Sequence, residues 1–173
     1  MKQRILLFTG DGKGKTTAAL GMVLRAAGHG QRILVVQFMK ADSQIGELPA
    51  LQHLPGVKFV QMGCGFVPPE QSAAFPKHRE AALQALAFAK QALASSAWDL
   101  VVLDEICGAI ASHVLSEDEV LKLLRTPSQT ATLVLTGRNA TPLLIEAADT
   151  VTEMCCQKHG YSQGIKAQKG VEY

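Results

Sequence analysis

Charge of one sign is missing from this sequence: seventeen Lys and Arg face fifteen Asp and Glu, a net +2 over 173 residues. Chains that bind nucleic acid through its phosphates carry a clear basic excess, so no nucleic-acid partner is expected. Long apolar runs are missing too. None approaches the roughly 18 uninterrupted residues of a membrane span, and Ile5 to Phe8, behind Met1-Lys2-Gln3-Arg4, is too short for a signal-peptide core. No membrane partner is expected, and the expected compartment is the cytoplasm. Cysteine is sparse: Cys64, Cys107, Cys155 and Cys156 form no Cys-x-x-Cys pair of a zinc or redox motif. Free thiols are expected, with the adjacent Cys155-Cys156 pair read as structural, one side chain facing the core and the next facing solvent. Internal repeats, low-complexity tracts and linkers are also lacking. What is present is 47% hydrophobic and 18% charged residues, a balance too apolar for disorder. One domain over 1–173 follows, of a size that buries roughly 70% of its unfolded surface.

Short aliphatic runs alternate with Ala- and Leu-rich stretches, the pattern of a mainly parallel sheet covered by helices on both faces. Strands are predicted at Ile5–Thr9, Arg32–Phe38, Val57–Met62, Leu100–Asp104, Thr132–Leu135 and Asp149–Met154. Helices are predicted at Thr16–Ala27, Lys77–Ser95, Glu117–Arg125 and Pro142–Ala147, with shorter ones at Gly46–His53 and Glu105–Ser112. Ser116 and Glu119 have capping-box spacing, and Thr141 before Pro142 reads as a second helix cap. Gly63 to Pro69 reads as a loop.

Chemistry is written most plainly at Thr9-Gly10-Asp11-Gly12-Lys13-Gly14-Lys15-Thr16-Thr17, a glycine-rich turn between an apolar strand and an Ala-rich helix. Glycines let successive amides converge on anionic oxygens, the helix N-terminus adds its dipole, and Lys15 adds a full charge. The Thr16 hydroxyl is placed for Mg²⁺. The pattern departs from Gly-x-x-x-x-Gly-Lys-Thr at one point, because Thr9 stands where the first glycine belongs and Gly10 comes one residue late. A purely structural turn would have no use for Lys13 and Lys15 together. The class is therefore a single-domain P-loop nucleotide-binding α/β fold.

A second segment, Trp98-Asp99-Leu100-Val101-Val102-Leu103-Asp104-Glu105, is an apolar strand ending in two carboxylates, where a metal-binding acid sits in P-loop enzymes. A helix-capping Asp104 is the plainer alternative. Two acids beside bound ATP call for a cation between them, since like charges at about 4 Å repel by several kcal/mol at intermediate dielectric. These residues establish a Mg-ATP site and leave the use of the ATP open.

Further segments carry a resemblance. With the glycine-rich turn they are Leu24-Arg25-Ala26, Val36-Gln37-Phe38-Met39-Lys40, Gly46-Glu47, Trp98 to Glu105, Leu135-Thr136-Gly137-Arg138, Asp149 to Met154, Lys158-His159, Gly164, and Lys166 to Tyr173. Over essentially its whole length the chain resembles the P-loop ATP:corrinoid adenosyltransferases, and the shifted Gly10 fits that family. The resemblance implies that Co(I) of a corrinoid attacks the 5′ carbon of ATP held reversed in the loop, expelling the triphosphate, with no side-chain nucleophile or general base. It implies ATP contacts from Gly10, Asp11, Gly12, Lys13, Gly14, Lys15, Thr16 and Thr17. Mg²⁺, or Mn²⁺ in its place, would be held by Thr16 with Asp104 or Glu105.

Lys15 carries the catalytic charge in this reading. Phe66 corresponds to an aromatic that packs under the corrin ring and helps displace its lower ligand, although Pro68 stands where some members have tryptophan. Gln37, Lys40 and Glu47 sit at or after a strand end and are candidates for the corrinoid pocket, with solvated loop polarity as the alternative. Arg138 reads as a phosphate or partner-subunit contact or as a structural ion pair. Of the scattered histidines 29, 53, 78, 113 and 159, only His159 lies in a matching segment. Expected partners are ATP, a corrinoid, a flavoprotein or other reductant, and a second copy in a homodimer. Only four residues precede Ile5, so the N-terminal lid helix of some members is expected to be absent. Two rivals stay open: a phosphotransferase or ATPase acting at phosphorus, and a nucleotide-dependent corrinoid-binding module.

Overall fold

The computed structural model of the protein describes residues 3–42 and 44–171. Glu172 and Tyr173, the end of the matched terminal run, lie outside the described residues, as do Met1, Lys2 and Ser43. The elements alternate as β1 (Arg4–Thr9), α1 (Lys15–Gly28), β2 (Ile33–Gln37), α2 (Glu47–Gln52), β3 (Val57–Gln61), α3 (Phe75–Ala94), β4 (Leu100–Asp104), α4 (Ile106–Ala111), α5 (Glu117–Arg125), β5 (Thr132–Thr136), α6 (Pro142–Ala147) and β6 (Thr150–Glu153). A single 3₁₀ turn follows at Gly160–Gln163. The six strands form one all-parallel sheet in the order β3-β2-β4-β5-β1-β6.

Both faces of the sheet are covered, which is why the central strands β2 and β4 are apolar up to their last residue. Leu34 and Val36 of β2, with Val101 and Leu103 of β4, face α3, α4 and α5. Ile33, Val35, Leu100 and Val102 face the opposite way, toward Ala19, Val23, Ala26 and Ala27 of α1. Helix α3 lays a stripe of small residues, Ala82, Ala85, Ala89 and Ala92, on its face of the core. That spacing follows one side of an α-helix.

The sequence-based elements all occur; β4, α5 and α6 have the expected bounds and the others shift at their ends. α3 starts at Phe75 rather than Lys77, because Pro76 sits in the first turn, where its missing N–H leaves no bond unmade. β2 stops at Gln37. The short helix expected from Glu105 begins at Ile106, because Glu105 itself takes a left-handed conformation (φ 63°) ahead of it. Both expected caps are made: Glu119 N–H donates to Ser116 Oγ at 3.2 Å while Ser116 N–H donates to the Glu119 carboxylate at 2.7 Å. Leu144 N–H donates to Thr141 Oγ1 at 3.3 Å. One expectation fails: Cys155 and Cys156 are both exposed. The chain has left β6 by that point, so no strand alternation turns one of them inward. Cys107 is buried, and that burial pushes its thiol up to about 12.

The entries to β2 and β4 are clamped together by Asp99. Its Oδ2 accepts from Arg32 N–H at 2.8 Å and Arg32 Nε at 3.1 Å, while Oδ1 accepts from Nη2 at 2.8 Å. The side-chain bond from Arg32, then the backbone bond, lowers the Asp99 carboxyl to about 2. An unfolded aspartate titrates near 3.9 (about one to two units higher), so the clamp's contribution is complete above about pH 4 and fades as pH falls toward the folded value. The difference in melting temperature between wild type and Asp99→Asn is therefore expected to hold steady from neutral pH to about pH 5, shrink below about pH 4, and close near pH 2. Calorimetric scans across that range measure it.

Candidate functional site

At the C-terminal edge of the sheet the turn after β1 runs into α1 and walls a cleft of about 710 Å³. Backbone just past the neighbouring edge strand β6 fixes the turn's shape. Met154, just past β6, donates its N–H to Thr9 O at 2.8 Å and accepts from Gly12 N–H at 2.6 Å. A Cβ on Gly10 or on Gly12 would come within 2.6 Å of Met154 O, and Gly10 also has φ 94°. The displaced glycine is thus required by its position, because no side chain fits between the turn and Met154.

Lys15 is 8% exposed, and its Nζ donates to Gly10 O and Gly12 O, each at 2.7 Å. Burial, and then the Arg138 charge, lowers its pKa, while Glu105 and Asp11 oppose the shift. A buried ammonium held only by carbonyls is prepared for an anion, which would supply the charge those carbonyls lack. Lys13, Gly14, Thr16, Thr17, Lys40, Glu47, Glu105, Arg138 and His159 also line the cleft. Lys40 Nζ and Glu47 Oε1 stand 3.4 Å apart. His159 Nδ1 accepts from Tyr161 N–H at 3.2 Å, so this ring caps the 3₁₀ turn while facing the cleft. Asp11 lies outside this cleft and walls an adjoining cavity of about 430 Å³ that shares Arg138 and His159 with it.

Beneath Thr16 lies Asp104, 1% exposed. Its Oδ1 accepts from Thr16 Oγ1 at 2.8 Å and Thr136 Oγ1 at 2.7 Å, and its Oδ2 accepts from Gln37 Nε2 at 2.9 Å. Glu105 N–H donates to the same Thr136 hydroxyl at 2.9 Å. Burial, and then Asp104, raises the Glu105 carboxyl, with Lys15, Lys40 and Arg138 opposing. Its carboxylate folds over Gly108 of α4, where a Cβ would stand 2.7 Å from Oε2. Among the described residues no cluster of three or more His, Cys, Asp and Glu side chains forms a metal cage. A hydroxyl and two carboxylates are, however, the hard oxygen donors that Mg²⁺ takes alongside water and phosphate. A dication beside Thr16 would also relieve the opposition between Asp104 and Glu105.

Gln37 corrects the sequence reading. It is fully buried and lines no wall of the cleft; its amide orients Asp104 and in turn accepts from Gln61 Nε2 at 2.9 Å. Phe66, in the loop after β3, is 95% exposed and borders a separate cavity of about 520 Å³ with Met39, Lys40, Ala41, Asp42, Gly65 and Glu105. Thr136, Gln61 and Met154 are structural parts of the site that residue type alone did not single out.

Comparison with known proteins agrees with these observations. The family model described as ATP:corrinoid adenosyltransferase BtuR/CobO/CobP matches residues 1–173. A corrinoid adenosyltransferase of Pseudomonas aeruginosa is 43% identical over 172 residues, spanning 98% of this chain and 83% of the relative. One from Escherichia coli K12 is 40% identical over 169 residues, spanning 98% and 85%. Two solved structures share the fold alone. The flagellar accessory protein FlaH of Methanocaldococcus jannaschii has a TM-score of 0.56 at 12% identity, over 87% of this chain and 70% of that one. The cytoplasmic domain of EssC has a TM-score of 0.54 at 15% identity, over 96% and 34%. By the match of the family model and by near full-length identity to its members, the chain belongs to the ATP:corrinoid adenosyltransferases.

Proposed function

We propose that this site binds ATP in the cleft and transfers its 5′-deoxyadenosyl group to Co(I) of a corrinoid seated against Phe66, the triphosphate leaving in one piece. One observation carries the reading. Lys40 and Glu105 line both the phosphate cleft and the Phe66 cavity, so two substrates held there meet across a shared wall. A hydrolase needs only the first cavity.

In the transfer the cobalt electron pair forms the Co–C5′ bond as the C5′–O5′ bond breaks, and the departing pair stays on the triphosphate. No proton moves, so the protein supplies no base. Its tasks are alignment of carbon with cobalt and neutralisation of the leaving chain. Lys15 and Lys13, the turn's amides and Arg138 face that chain, and Lys15 exchanges carbonyl partners for phosphate oxygens when the chain arrives. Mg²⁺ would be held by Thr16 with Asp104 or Glu105 and would supply further charge neutralisation. Phe66 offers an exposed flat ring to the corrin face. The reading includes a separate electron donor such as a flavoprotein, action in the cytoplasm, and a homodimeric assembly. No helix among the described residues is long and apolar enough to cross a membrane.

Incubation with Mg-ATP and chemically reduced cobalamin is expected to yield adenosylcobalamin and tripolyphosphate; ADP as the sole nucleotide product would overturn the reading. Lys15→Ala is expected to lower kcat/KM by about 10² to 10³, the scale of losing one preorganised charge-stabilising group, while corrinoid binding measured by calorimetry persists. Phe66→Ala is expected to abolish the change that Mg-ATP causes in the optical spectrum of a Co(II) corrinoid and to slow turnover about tenfold, equivalent to ~1.4 kcal/mol. An unchanged spectrum response would remove Phe66 from the site.

A further inference from the structure

A row of polar side chains crosses the sheet beneath the two cavities, and the transfer chemistry as described makes no use of most of it. Gln37 stands in register with Asp104 on one side and with Gln61 on the other. On β3, β2 and β4 these three side chains therefore lie abreast, on the face toward α1. Their bonds run in one chain: Thr16 Oγ1 to Asp104 Oδ1, Gln37 Nε2 to Asp104 Oδ2, and Gln61 Nε2 to Gln37 Oε1. Gln61 Nε2 also donates to the backbone O of Asp42 at 3.0 Å. The ladder thus begins at the cation-facing hydroxyl and ends on the backbone of a residue that walls the Phe66 cavity. The opposite wall is tied to the same segment, because Gly65 N–H donates to Met39 O at 2.8 Å and a Cβ on Gly63 would stand 2.3 Å from Met39 C.

We propose that this amide ladder couples the two substrates, so that filling the ATP site sets the 39–42 segment and the Phe66 loop in the position that binds corrinoid. Gln61 and Gln37 are then positioning residues. The inference rests on the transfer reading above. Its physical basis is a competition at Asp104: a cation held by Thr16 and Asp104 would draw on the Asp104 Oδ1 lone pair that now accepts the Thr16 hydroxyl proton. Asp104 would then be oriented by Thr136 and Gln37. Gln37 is fully buried, so its amide has no water to turn to and keeps its bonds as the carboxylate shifts. Gln61 transmits the shift because its NH₂ group donates at both ends, to Gln37 and to Asp42. Neither end has a charged group that solvent would screen.

The test uses the full chain and cob(II)alamin, which binds without reacting because transfer needs Co(I). Calorimetric titrations under argon give the corrinoid Kd with and without Mg-ATP. In wild type, Mg-ATP is expected to tighten corrinoid binding about tenfold, inside the usual range of couplings between sites, and corrinoid must tighten ATP by the same factor. In Gln61→Met, which keeps the side-chain length and removes both donors, coupling is expected to fall below about twofold. Each separate affinity should stay within about threefold of wild type. A second measurement needs no variant: Mg-ATP alone should slow amide hydrogen exchange in residues 39–42 and 63–66 of wild type. Full coupling in Gln61→Met, or no exchange response in those segments, overturns the ladder. A wild-type chain that forms adenosylcobalamin yet shows no coupling also overturns it and leaves the transfer reading standing. Failure to form adenosylcobalamin at all removes that reading first.

Discussion

The contact between the Thr16 hydroxyl and the Asp104 carboxylate is the point on which the rest of the site depends. It joins the first turn of α1 to the end of β4 across 88 positions of sequence, and everything that faces the phosphates is arranged around it. Lys15 lies one residue before Thr16, and the strained Glu105 one residue after Asp104. Asp104 is almost wholly enclosed, and a carboxylate so placed is tolerated only where donors surround it. Thr16, Thr136 and Gln37 supply three. All four belong to elements meeting at one edge of the sheet, so the parallel strand order itself assembles the site.

Strand order also separates what the sequence made legible from what it did not. The glycine-rich turn, the apolar strand ending in Asp104-Glu105, and both helix caps are local patterns whose physics lies within a few residues, and each appears where the residues place it. Gln37 was misread for the opposite reason. A glutamine one residue before a strand end resembles a pocket-lining group, and only its cross-strand neighbours on β3 and β4 show that it faces a carboxylate beneath the surface. Thr136 falls in a segment that matches the family, but its bond to Asp104 follows only from β5 lying beside β4. The adjacent cysteines fail on a boundary, since β6 ends two residues before Cys155. Phe66 was recognisable only through a family resemblance, because an exposed loop phenylalanine has no signature in periodicity.

On the proposed reading, the two cavities let a small chain hold a polyanion and a large macrocycle side by side. The phosphate cleft is built on the α1 side from amides and cations, whereas the Phe66 cavity draws on the loops after β2 and β3. Both open at the same sheet edge, where ligands of open α/β folds collect. Lys40 stands between them, ion-paired to Glu47, so one flexible cation borders both chambers.

The stitching of the glycine-rich turn to Met154 bears on how the protein is made. The turn follows β1, yet its backbone partners come from just past β6, a strand far along the chain that pairs in the sheet with β1. Contacts of such wide sequence separation form late, since the intervening loop must close first. On the ribosome the glycine-rich turn therefore stays without its fixed shape until β6 has emerged.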